Sequence, residues 1–128
     1  MVWRVNIRFL NAYILAEDFK KLSGWYEKTF ELDRGLTVEE DYLSMELRKN
    51  GKFVIAFADS KEMGITPYYD RQNTVIAQLA VSNVKECLER VSQCGGKALF
   101  GPSFDETGKF YYGGFSDIEG NQIWVVQE

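Results

Sequence analysis

The chain has 128 residues, enough for one compact domain whose core needs neither a disulfide nor a metal to hold it. Fifteen basic against nineteen acidic side chains leave a net charge of −4 without a basic stripe, which excludes an electrostatic nucleic-acid binder, and no stretch approaches the run of about 20 apolar residues that spans a membrane. Histidine is absent, which removes the commonest zinc and iron ligand, the commonest neutral-pH general base and every Ser–His or Cys–His pair, while nine Phe, seven Tyr and three Trp make 15% of the chain aromatic.

Trp3-Arg4-Val5-Asn6-Ile7-Arg8-Phe9 alternates apolar and polar residues, the pattern of a half-buried strand, and the strand pattern runs on through Leu15. Asp18 stands where a helix cap belongs, ahead of Phe19, Leu22, Tyr26 and Phe30 at three- and four-residue steps, which predicts a helix over about 19–29. Gly24 weakens that helix slightly and is read as a point of close packing. Strands follow at 35–39 and 42–48. Asn50-Gly51 then signals a tight hairpin into the apolar strand 53–58. Residues 59–73 are polar, carry Pro67-Tyr68-Tyr69-Asp70-Arg71 and read as a linker.

The order then recurs. Residues 74–81 form a strand, and Ser82 or Asn83 caps a helix carrying Val84, Cys87, Leu88, Val91 and Cys94, stopped by Gly95-Gly96. Strands are predicted at 97–104, 110–116 and 122–127, the last two joined by Asp117-Ile118-Glu119-Gly120-Asn121. Gly113-Gly114 reads as a bulge first and, second, as a point where a ligand or partner backbone approaches closely. Cys87 and Cys94 lie two turns apart on one helix, about 10 Å in rise, too far for a disulfide, and read as small core residues of a cytosolic protein. The two caps are 65 residues apart, and Gly51 and Gly120 are 69 apart. Strand–helix–strand–strand–strand thus occurs twice, as a first module of about 1–58, a linker of 59–73 and a second module of about 74–128. The expected architecture is α+β, with two tandem βαβββ modules sharing one core.

Two segments carry a family likeness. The first is Asn11-Ala12-Tyr13-Ile14-Leu15-Ala16-Glu17-Asp18 followed by Trp25-Tyr26-Glu27-Lys28-Thr29-Phe30-Glu31-Leu32; the second is Phe115-Ser116-Asp117-Ile118-Glu119-Gly120-Asn121-Gln122-Ile123. In these residues the chain resembles the vicinal oxygen chelate superfamily (glyoxalase, bleomycin resistance protein, dioxygenase). They are similar to its first strand and capping Asp, its helix end and its closing Phe-x-Asp-Pro-x-Gly-Asn turn, with Ile118 in place of the proline. The resemblance implies curved mixed sheets around a cavity, helices on the convex side, and homodimers. It also implies metal ligands on the first and last strands of each module. Here those positions hold Asn11, Ile55, Ile76 and Trp124, a set that does not hold a divalent cation.

Strand parity then assigns Asn11, Tyr13, Ile55, Phe57, Ile76, Gln78, Trp124 and Val126 to the cavity face, and Ile123 and Val125 to the helix face. Tyr111, in the ring-rich run 110–115, is counted with the cavity wall. No catalytic residue and no cofactor is assigned, and Glu119 is placed on the surface of the closing turn. The expected function is metal-independent binding of a small apolar or aromatic molecule by a cytoplasmic homodimer, with no nucleic-acid or membrane partner. The alternatives are a metal-dependent lyase, isomerase or dioxygenase with divergent ligands, and a non-catalytic interaction module with a filled cavity.

Overall fold

The computed structural model of the chain describes residues 6–37, 44–66 and 75–128. The first module contains β1 (Tyr13–Ala16), α1 (Phe19–Phe30), β2 (Asp33–Thr37), β3 (Ser44–Lys49) and β4 (Lys52–Asp59). A single helical turn, α2 (Ser60–Met63), follows β4, so the segment read as linker begins with helix. The second module contains β5 (Ala77–Val81), α3 (Val84–Gln93), β6 (Lys97–Asp105), β7 (Phe110–Ser116) and β8 (Gln122–Gln127). The tyrosine pair at 68–69 lies outside the described residues. No helix among the described residues is long and apolar enough to cross a membrane.

Each module folds into its own four-stranded mixed sheet, ordered β1-β4-β3-β2 and β5-β8-β7-β6. In each, the first and last strands run parallel at the centre-to-edge position and the rest are antiparallel. Local chemistry starts and stops the elements as expected. The Asp18 side chain accepts from Lys21 N and that of Asn83 from Glu86 N, each satisfying an N-terminal amide of its helix. Asn50 and Gly51 both adopt positive φ, the conformation a two-residue hairpin requires.

The helix-facing sides of both sheets meet in one core. Tyr26 of α1 packs on Phe57 of its own sheet (centroids 4.9 Å apart), while Phe30 of α1 packs on Phe115 of the other (5.7 Å). Leu22, Tyr26, Leu47, Phe57, Phe115 and Val125 are fully buried there. Polar links cross the same boundary. Tyr26 OH donates to Asp117 Oδ2 at 2.7 Å, Trp25 Nε1 to Cys94 O at 2.7 Å, and Arg90 Nε to Thr29 O at 3.2 Å. The Glu119 carboxylate accepts from Glu17 N and Asp18 N, both at 2.9 Å, tying the closing turn to the start of α1. The residue read as a surface position is a clasp between modules.

Three expectations change. Among the described residues the N-terminal strand pattern forms strand only from Tyr13, while residues 3–5 lie outside the described residues; residues 6–12 are outside any strand, and Ile7 and Phe9 are 89% and 81% exposed. Pairing of β1 with β4 ends at Tyr13–Ala56 because a bulge interrupts β4 just upstream, where Leu47 faces Ile55 but Arg48 faces Phe53. Gly24 is not a close-packing point, since a Cβ there meets nothing within 4 Å. Gly113-Gly114 is not a bulge either: β7 pairs with β8 in unbroken register, and the irregularities lie in β6 opposite.

Candidate functional site

Helices cover one side of each sheet; the side away from them, its open face, carries Tyr13 (49% exposed) in the first and Trp124 (42% exposed) in the second. On the second sheet the central pair Gln78–Trp124 fixes which side chains lie on that face. Register carries it outward to Gly114 beside Trp124 and Tyr112 beside Val126, then to Phe100 beside Gly114 and Ser103 beside Tyr112, and finally to Asp105 beside Phe110. These residues surround a depression of about 320 Å³ lined by Gln78, Phe100, Asp105, Phe110, Tyr112 and Trp124. Trp124 stays 42% exposed, whereas its neighbours Ile123 and Val125 are buried on the helix side, as alternation requires.

The rings stand against one another edge to face or tilted. Phe100 and Trp124 are 6.4 Å apart at 82°, Phe100 and Tyr112 6.3 Å at 57°, and Phe110 and Tyr112 6.2 Å at 64°. The two glycines make this possible. A Cβ on Gly114 would collide with the Phe100 ring, and one on Gly113 would press on Val84 and Leu88 of α3. One glycine lets a ring lie across β7; the other lets the helix approach its back.

The predicted site residues separate into three groups. Gln78 and Trp124 are brought together in the depression. Tyr13 is on the open face of the first sheet, beside Ala56, while Asn11 and Ile76 precede β1 and β5; none of the three lines the depression. Ile55, Phe57 and Tyr111 are corrections. Ile55 and Phe57 are buried under α1, with Phe57 against Tyr26. Counting 69 residues between the two final turns ignored the β4 bulge at Val54, and a one-residue slip moves every side chain to the other face. By strand pairing, the counterpart of Trp124 is Ala56. Tyr111 points to the helix side, edge to face with Phe104 at 5.0 Å.

Phe100, Asp105, Phe110 and Tyr112 were missed. The signal for Tyr112 was present: Ser116 and Gln122 flank the closing turn, and pairing outward from them sets Tyr112, not Tyr111, beside Val126. Phe100 was hidden by the bulges in β6, which displace its register at two places.

Two side chains outside the depression have shifted protonation. Burial, and then the charge and hydrogen bond of Asp117, raise Tyr26 well above the ordinary phenol range, so it is a neutral donor. Burial pushes the Cys87 thiol up to about 11, which makes it unreactive. A second, larger hollow of about 650 Å³ lies between the modules, with Glu31, Lys49, Glu86 and Arg90 at its walls. It contains none of the predicted site residues.

Solved structures share this architecture across nearly the whole chain. A hypothetical protein from S. aureus superposes with a TM-score of 0.74 at 15% identity, over 97% of this chain and 96% of that one. A glyoxalase-related enzyme from Fulvimarina pelagi gives 0.70 at 15% identity, over 94% and 88%. A member of the glyoxalase/bleomycin resistance protein/dioxygenase superfamily from Sphaerobacter thermophilus gives 0.68 at 19% identity, over 95% and 98%. No family model matches the sequence, and no curated protein matches it. The chain therefore has the glyoxalase/bleomycin resistance protein/dioxygenase fold, at identities that speak to fold alone.

The metal chemistry implied by the superfamily resemblance does not fit these residues. The positions concerned are Asn11, Ile76, Trp124 and, by the observed register, Ala56. One amide, two aliphatic side chains and an indole do not form the oxygen, nitrogen or thiolate set that a divalent cation requires.

Proposed function

We propose that this chain is a metal-independent binding protein that takes up a small apolar or aromatic molecule on the open face of its second sheet. The supporting observation is the half-exposed Trp124 in an aromatic depression of about 320 Å³, which is the lower end of the size that small-molecule sites occupy. Rings supply most of the wall and Gln78 supplies an amide able to orient a polar group. A contiguous exposed apolar patch, unlike a single exposed side chain, marks a binding surface. A homodimer is proposed with it, since the open faces of both sheets offer surface for a second copy. A cytosolic address also fits, because Cys87 and Cys94 are both free thiols.

Tryptophan quenching and thermal shift against a panel of planar aromatic and apolar compounds test the binding reading. The expected result is a ligand that quenches the protein and raises its Tm, with both effects lost in Trp124→Ala and kept in Tyr13→Ala. A panel in which no compound does either overturns it. Size-exclusion with light scattering tests the oligomer, and a monodisperse monomer counts against the homodimer.

A further inference from the structure

The depression on the second sheet is not uniformly apolar, and the one charged side chain among the described residues that line it stands at one end. Asp105 closes the β6–β7 ladder opposite Phe110 and lines the hollow with Phe100, Phe110, Tyr112 and Trp124. Its Oδ1 is occupied by the turn that follows, accepting from Thr107 N at 2.9 Å and Gly108 N at 3.0 Å. Its Oδ2 accepts no hydrogen bond among the described residues, and none of the ion pairs found there includes Asp105. The nearest lysine in sequence, Lys109, is paired with Glu106 at 3.7 Å. A carboxylate with one unpartnered oxygen therefore stands beside a continuous run of four rings. Among the described residues no cationic side chain lines the hollow.

The chemistry that matches both features is a diffuse positive charge wrapped in carbon. Ring faces carry negative potential and attract a cation within about 6 Å, and the attraction grows as water is excluded. A primary ammonium or guanidinium needs several hydrogen-bond acceptors in place of its lost water, and this wall offers few. A quaternary or N-methylated ammonium carries no such demand, because its charge is spread over methyl groups that pack on rings. We propose that Phe100, Phe110, Tyr112 and Trp124, with the Asp105 carboxylate at their edge, bind the head group of a quaternary or N-methylated ammonium compound. This rests on the reading of the second sheet as the ligand face and narrows it to a ligand class.

Choline and its neutral carbon isostere, 3,3-dimethylbutan-1-ol, separate charge from shape. Each is titrated into the full chain while tryptophan fluorescence and the Trp124 indole N–H resonance are followed. Choline is expected to bind at least about tenfold more tightly than the alcohol, with an affinity that falls as salt rises. Asp105→Asn is expected to reduce that difference several-fold, to what the rings alone supply, without altering the alcohol's affinity. The asparagine keeps an oxygen for Thr107 N and Gly108 N, so the turn is retained. Equal affinity for the two probes overturns the inference, as does a preference for choline that is undiminished in Asp105→Asn. If both probes fail while a neutral aromatic compound still perturbs Trp124, the ammonium class is wrong and the ligand face stands. Silence from every compound removes both.

Discussion

The parallel pair at the heart of the first sheet sets Tyr13 beside Ala56, and its counterpart in the second sets Gln78 beside Trp124. Strand order, helix placement and cap chemistry are the same in both modules, so these do not explain why, among the described residues, the aromatic depression lies on the second sheet. Residue size on the last strand does. In the first sheet Ala56 and Ala58 alternate on that face and are buried, and Glu46 beside them pairs with Arg48 at 2.8 Å. In the second, Trp124 and Val126 occupy the same row, flanked by Tyr112 and by the Phe100 ring resting over Gly114. A duplicated scaffold thus carries, among the described residues, small and charged residues beside Tyr13 on one face and a run of four rings on the other. The shared core beneath is indifferent to the distinction because alternation keeps the two faces of a strand independent.

The largest effect is expected where the modules are joined. Asp117 accepts from Tyr26 OH, Glu119 N, Asn121 N and Asn121 Nδ2, so Asp117→Ala orphans a buried hydroxyl and loosens the turn whose Glu119 clasps α1. A loss of about 3 kcal/mol or more in urea unfolding is expected, with fluorescence and circular dichroism changing together because the modules share a core. Separate transitions for the two probes would break the picture of one cooperative unit. Next comes the exchange of faces. Ala56→Trp forces an indole into a buried position and is expected to cost about 3 kcal/mol, whereas Trp124→Ala removes a half-exposed ring for less than about 1 kcal/mol while abolishing ligand quenching. Similar stability losses for the pair would erase the contrast between the sheets.

Alkaline pH tests the joint core more gently. Both Tyr26 and Cys87 have folded-state values raised above their unfolded ones, Cys87 from 9.0 to about 11. The native state then holds protons that the unfolded chain releases, so their contribution is full at lower pH and is lost as pH rises. The urea midpoint is expected to fall from about pH 9 upward, and Tyr26→Phe should flatten the part of that decline above about pH 10. An unchanged profile would contradict the burial of the phenol. The smallest effect is Gly24→Ala, which fills open space on α1 and is expected to raise stability by about 0.5–1 kcal/mol.

Much of the framework could be read along the chain. The caps Asp18 and Asn83, the Asn50-Gly51 hairpin and the strands β7 and β8 all follow from short-range rules that act within a few residues. The double βαβββ order followed from them, and so did the choice of Trp124 and Gln78 as open-face residues. These are local decisions: a cap satisfies amides three residues away, and alternation has a period of two. Which side chains meet across strands is another matter. A single unpaired residue in β4 turned Ile55 and Phe57 toward α1 and left Ala56 on the open face. Two irregularities in β6 brought Phe100 over Gly114 and Asp105 to the end of the aromatic wall. Bulges leave no reliable mark in residue order, because each is set by how two strands settle against a helix and against each other. The sequence by itself determined the two modules; the tertiary structure decided which side chains meet on each sheet face, through registers that only packing can set.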